Sequence, residues 1–180
     1  MDRQVSLSWQ GTGFTDTGLA RQTNQDAFVV DNDLGLWIVA DGMGGHAGGE
    51  TASQLAVKAV TDHIASAARS FSDFRSRIDR VKELLRSAVA AADSLIRAMA
   101  DTTPDLRGMG TTVVIGLFCP GPEPSIALAH IGDSRAYLIR ARGISALTTD
   151  HSFVQRLVSE GHISLDDART HPQQNVLLRA

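Results

Sequence analysis

Apolar residues fall along this chain in three successive patterns. Over the first forty positions they form short runs around Leu7 to Gly11, Ala27 to Asp31 and Leu36 to Ala40, separated by Gly, Asn and Asp. Runs of that length between turn-forming residues predict strands. From Thr51 to Ala68 the period changes, and Leu55, Ala56, Ala59, Val60, Ile64 and Ala67 make one helical stripe. A second helix is predicted to open near Ser72 and Asp73, both suited to capping. Its apolar positions are Phe74, Ile78, Val81, Leu85, Ala88, Ala92, Leu95 and Met99, spaced alternately by four and three. That spacing also suits a coiled coil, but for a helix set among strands it predicts packing on a sheet.

β character returns at Thr111 to Phe118. A Pro/Gly turn over Cys119 to Pro124 leads into Ser125 to Ile131, an expected antiparallel hairpin partner. Ala136 to Arg140 and Ile144 to Leu147 read as two further strands, and Phe153 to Glu160 and Leu165 to Arg169 as short helices. Strands, then two helices, then strands indicate an α+β protein with helices on sheets, not alternating βαβ units. The 180 residues are expected to form a single domain, 1–180, with enough chain to bury a core.

Composition narrows the function classes. Hydrophobic content is 43% and charged content 21%, ordinary for a globular protein. A net charge of −3 provides no general attraction for nucleic acid or an anionic membrane, so any phosphate recognition must be local. One cysteine, Cys119, forbids an internal disulfide and fits a reducing compartment. No apolar run approaches the ~20 residues needed to span a bilayer, and the N-terminus has no apolar signal region. The expectation is a cytoplasmic protein with neither nucleic acid nor membrane among its partners.

The chemistry concentrates where β gives way to helix. The run Leu36 to Ala40 is followed by Asp41 and then by glycines at 42, 44, 45, 48 and 49. A carboxylate on a strand end beside flexible backbone suits a hard cation, because side-chain and main-chain oxygens share the ion. A Gly-rich strand-to-helix turn with an incidental Asp is the plainer alternative. A nucleotide loop fits worse, since the spacing matches neither G-x-G-x-x-G nor G-x-x-x-x-G-K-[ST].

Four segments together are far more specific: Arg21-Gln-Thr-Asn24-Gln25-Asp26, Asp41-Gly42-Met43-Gly44-Gly45-His46, Gly110-Thr111-Thr112, and His130-Ile131-Gly132-Asp133-Ser134-Arg135-Ala136-Tyr137. In these the chain resembles the metal-dependent protein phosphatases, the type 2C or PPM family, in its bacterial form. The likeness continues through Leu147 to Ser152 and Glu160 to Ile163 as far as His171-Pro172 and Asn175. The resemblance implies a β-sandwich of two antiparallel sheets flanked by helices, in α-β-β-α layers, with two Mg²⁺ or Mn²⁺ ions at one end and a third ion in some bacterial relatives. It implies hydrolysis of phosphoserine and phosphothreonine in protein substrates by a metal-activated water. Paired divalent ions about 3.5–4 Å apart suit that chemistry.

By the same resemblance Asp41 bridges both ions and the Gly42 carbonyl completes one site, while Asp26 stands beside the second ion. Arg21 binds the substrate phosphate, a task for which a planar two-pronged guanidinium is better shaped than Lys. Asp133 serves the third, weaker site or else shapes a turn. The bland alternatives are a solvated charge for Arg21 and a turn or cap residue for Asp26.

Several positions depart from the family pattern. Animal relatives place a general-acid His directly after the Asp-Gly pair, where this chain has Met43. His46 lies three residues further on and does not inherit the role by position. His151 and His162 fall in or near the segment that forms a mobile flap in bacterial relatives, and a polar surface His is the expected description of each. Gln25 stands where many relatives have Glu, a stronger ligand than an amide. Two further metal-binding aspartates expected by resemblance, in Ser-Asp-Gly and Asp-Asn segments, do not occur before Ala180. Asp26, Asp41 and Asp133 bring three negative charges against four on two divalent ions. The expectation is a C-terminally incomplete domain, a monomer, whose 180 residues have low activity alone. The alternative function is a truncated module that binds phosphorylated protein through Arg21 without catalysis.

Overall fold

The computed structural model describes residues 9–19, 21–45, 47–70, 78–121 and 123–180. The first expected strand lies partly, and the expected helix start at Ser72 to Phe74 wholly, outside them. So does His46.

Alternation of β-branched and small apolar residues produces an antiparallel sheet from β1 (Asp26–Asp31), β2 (Leu36–Met43), β4 (Val113–Cys119) and β5 (Ser125–Ile131), in that spatial order. A two-residue strand, β3 (Gly110–Thr111), pairs with the far end of β2. β6 (Tyr137–Arg140) and β7 (Gly143–Ala146) form a second, two-stranded antiparallel sheet. Two long helices, α1 (Gly48–Ser70) and α2 (Ile78–Thr102), two short ones, α3 (Phe153–Ser159) and α4 (Leu165–Thr170), and a 3-10 turn at Pro104–Leu106 complete the described elements. The expected two antiparallel sheets with helices are therefore present.

Period two decides which face of the larger sheet is covered. Leu36, Ile38 and Ala40 on β2 and Ile115 and Leu117 on β4 are almost completely buried, against Ala52, Ala56, Val60 and Ile64 of α1. The alternate positions, among them Phe28, Trp37, Val39 and Ile126, lie on the opposite face. There Trp9 stacks on Phe118 with ring centroids 3.8 Å apart, and the Gly11 amide donates to the Asn32 side chain.

Four sequence expectations need correction. β2 does not end at Ala40 but continues through Asp41, Gly42 and Met43, because β3 and β1 supply partners for those peptides. α2 packs chiefly along α1 and reaches the sheet only near β5. Leu95, assigned to its buried stripe, is 40% exposed, and Ile96 is buried in its place. A strict alternation of four and three drifts off a 3.6-residue helix, so the buried seam steps over by one residue. Cys119, expected in the turn, is instead the buried last residue of β4.

The helix–sheet interface is the hydrophobic core. Ile115→Ala deletes a fully buried side chain at its centre. It is expected to cost about 2–5 kcal/mol in urea unfolding, with an unchanged denaturant slope.

Candidate metal and phosphate site

β1 and β2 pair with Asp26 directly opposite Asp41. Opposed residues share one face of a sheet, here the face away from α1. Two carboxylates so placed repel each other, and the backbone must hold them. The Asp41 peptide is gripped at both ends. Its N–H donates to Thr112 Oγ1 at 3.0 Å, and its carbonyl accepts from Thr112 N–H at 2.9 Å and Thr111 Oγ1 at 3.0 Å. Thr111 and Thr112 are buried, and Thr112 Oγ1 lies 2.6 Å from Ser134 Oγ, beside Asp133. From sequence alone Gly110-Thr111-Thr112 belongs to the family resemblance without a task of its own. Its signal was two adjacent hydroxyls at the start of a buried strand.

Gly42, next along β2, is buried, and its N–H donates to the Gln25 carbonyl at 3.0 Å. A Cβ there would lie 1.9 Å from the Gly49 carbonyl oxygen, so only glycine admits the start of α1 this close. The Gln25 side chain donates to the Gly44 carbonyl at 3.3 Å. A carboxylate cannot make that bond, and the amide thus ties the glycine loop to the strand carrying Asp26.

Electrostatics bring the four charged candidates together. Partial burial first of all, then the charge of Asp26, a hydrogen bond shared with Asp26, and the charge of Asp133 hold the Asp41 carboxyl above the usual carboxylate range. Arg21 opposes the shift, so its guanidinium acts on the same carboxyl. Arg21, Asp26, Asp41 and Asp133 are all exposed to solvent, so burial acts on the Asp41 carboxyl only in part. Among the described residues no three His, Cys, Asp or Glu side chains close into a cage that could hold an ion.

His151 is half-buried, not a surface side chain, with Nδ1 3.3 Å from the Gly132 nitrogen. His162 lies 3.4 Å from Glu160 and is exposed. No helix among the described residues is long and apolar enough to cross a membrane.

The α+β fold, with two antiparallel sheets and helices, is shared with bacterial serine/threonine phosphatases. The crystal structure of the Mycobacterium tuberculosis serine/threonine phosphatase PstP/Ppp matches with a TM-score of 0.76 at 39% identity, over 92% of this chain and 64% of that one. Stp1 from Staphylococcus aureus matches with a TM-score of 0.77 at 37% identity, over 92% and 63%. In sequence the chain is 36% identical over 169 residues to the serine/threonine phosphatase stp of Listeria monocytogenes, spanning 92% of this chain and 64% of that protein. It is 40% identical over 177 residues to PstP of M. tuberculosis, 98% of this chain and 32% of that protein. Residues 19–174 match the family model described as Protein phosphatase 2C. The chain belongs to the protein phosphatase 2C family. It spans about a third of the length of PstP and under two thirds of stp.

The raised Asp41 carboxyl has a measurable consequence for the metal-free protein. A folded-state pKa above the unfolded value means that the native state loses stability as pH rises through that interval. Asp41→Asn removes the repelling charge and offers Asp26 an amide donor. Metal-free Asp41→Asn is expected to melt above wild type at neutral pH, with the gap shrinking as pH falls toward 4. Thermal melts in EDTA across that range check the sign.

Proposed function

We propose that this protein is a metal-dependent protein serine/threonine phosphatase, acting on phosphoserine and phosphothreonine. The observation that carries this reading is the convergence of Arg21, Asp26 and Asp133 on Asp41, in a chain of the 2C family. PstP has been solved with two manganese ions. The donor set here fits such ions: it is all oxygen, suited to Mg²⁺ or Mn²⁺, and the Asp41 carboxyl is raised by burial and by the charges of Asp26 and Asp133, which a cation would offset.

Asp41 would bridge two ions, Asp26 would hold one directly or through water, the Gly42 carbonyl would complete a site, and Asp133 would serve a third. Hard ions retain several waters, so a sparse protein shell suits them. When bound, the ions supply Lewis acidity and lower the pKa of water.

The chain's own residues do the rest. Arg21 binds two phosphate oxygens of the substrate and offsets the negative charge gathered beside it. The Thr111–Thr112 grip keeps the Asp41 carboxylate from retreating when phosphate approaches. The Gln25 bridge fixes the backbone around Gly42. Met43 stands where a general-acid His would, so the leaving oxygen takes its proton from solvent within the site. Phosphorylated proteins are the partners, and the protein works as a cytoplasmic monomer. The alternative, a module that binds phosphoprotein through Arg21 without turnover, is not favoured by family membership.

Phosphothreonine peptides separate the two. Turnover is expected with Mn²⁺ or Mg²⁺ and should vanish in excess EDTA, whereas binding without turnover selects the second reading. Asp41→Asn is expected to weaken Mn²⁺ binding on the order of 100-fold or more, beyond the 10–100-fold typical of residues that merely support ligands. Arg21→Ala should leave calorimetric Mn²⁺ affinity nearly intact and raise KM by about 10–100-fold, as for a lost charged hydrogen bond. Equal loss of metal affinity in both variants contradicts the assigned roles.

A further inference from the structure

The turn that carries Asp133 is fastened by a segment far from it in sequence. Gly132 is bonded on both sides by one residue: its carbonyl accepts from His151 N–H at 2.9 Å, and its N–H donates to His151 Nδ1 at 3.3 Å. His130 lies against the same ring, with centroids 4.5 Å apart and planes 17° from parallel. Its Nε2 is 2.9 Å from the Thr149 carbonyl, which only accepts, so Nε2 carries the proton. Arg135 forks onto Asp150, Nε to Oδ1 at 2.7 Å and an Nη to Oδ2 at 2.6 Å. The Asp150 side chain is only 12% exposed, which sets this pair apart from ordinary surface ion pairs. Further on, Ala136 N–H donates to Thr148 Oγ1 at 3.1 Å, and Leu147 N–H donates to the Ala136 carbonyl at 2.9 Å.

We propose that Thr148 to His151 form a clasp that sets the position of Asp133, with Asp150 and His151 as its positioning residues. The reason for a clasp is electrostatic. Asp133 adds its charge to a site where Asp26 and Asp41 already repel. A free loop would swing its carboxylate away from such a field. Main-chain bonds at Gly132 and Ala136, and side-chain bonds at His130, Ser134 and Arg135, flank Asp133 on both sides, while Asp133 itself stays exposed. The turn also has little room to rearrange. Gly132 has φ +98°, and a Cβ there would lie 2.6 Å from Thr112 Cγ2.

The geometry requires a His151 ring with its lone pair on Nδ1 and the proton on Nε2. Burial, with help from His130 and Arg179 and against Asp150, lowers the His151 pKa and so favours that neutral ring.

The clasp acts on metal only if Asp133 is a ligand, as read above, so its test measures the turn and the metal separately. Amide hydrogen exchange of residues 131–136 is compared in wild type, Arg135→Ala, Asp150→Ala and the double variant, with α1 and α2 amides as the control for global folding. Each single variant is expected to speed exchange in the turn by about tenfold or more, and the double variant to add little, because the residues form one fork. His151→Ala should act likewise. His151→Asn should restore slow exchange, since its Oδ1 offers the acceptor that Nδ1 provides. In the same variants the weakest Mn²⁺ site seen by calorimetry should lose affinity about 10–100-fold. Faster turn exchange with unchanged Mn²⁺ binding upholds the clasp and removes Asp133 from the metal ligands. Unchanged turn exchange, or no difference between His151→Ala and His151→Asn, overturns the clasp.

Discussion

Asp26 and Asp41 stand opposite each other across an antiparallel ladder, and everything around them resists their separation. Like charges at a cross-strand pair are unfavourable, and a partly desolvated pair more so. The backbone holds them because β2 is fastened on both sides, by β1 along one edge and by β4 and β3 along the other. The Thr111–Thr112 bonds to the Asp41 peptide occur where the β2–β4 ladder gives way to the short β2–β3 pairing. Without those hydroxyls the strand end would be free to twist its carboxylate toward water.

That constraint explains the layout of the rest. α1, backed by α2, buries the inner face, with Leu36, Ile38 and Ala40 of the strand that also carries Asp41. Packing energy on one face thus fixes charge on the other. The glycines between β2 and α1 let the helix start abut Gly42, where any side chain would strike the Gly49 carbonyl. The Asp133 turn is flanked by an Arg135–Asp150 fork, with the Asp150 side chain 12% exposed, and by a histidine stack.

Family membership and local structure together reassign two residues. The Gln25 amide donates to the Gly44 carbonyl, a bond closed to a carboxylate. His151, read from the sequence as a polar surface residue, has its ring against the Gly132 amide and the His130 ring. In both cases the side chain's neighbours define its task.

Periodicity and turn chemistry were sufficient for much of this. Alternating apolar runs placed β1, β4 and β5, the helical stripe placed α1, and Asp41 with its glycines marked the candidate site, because local sterics and face burial act within a few residues. The end of β2 was not legible. A strand continues only while partners exist, and those partners lie at Gln25 and Gly110–Thr112, about seventy residues away in the second case. The seam of α2 depended on α1 as its neighbour, which moved burial from Leu95 to Ile96. Arg21, Asp26, Asp41 and Asp133 were identifiable as a set through family resemblance, but their mutual electrostatics and the roles of Thr112, Asp150 and His151 were not. Those rest on contacts between distant segments, and only the folded chain brings such segments within hydrogen-bonding reach.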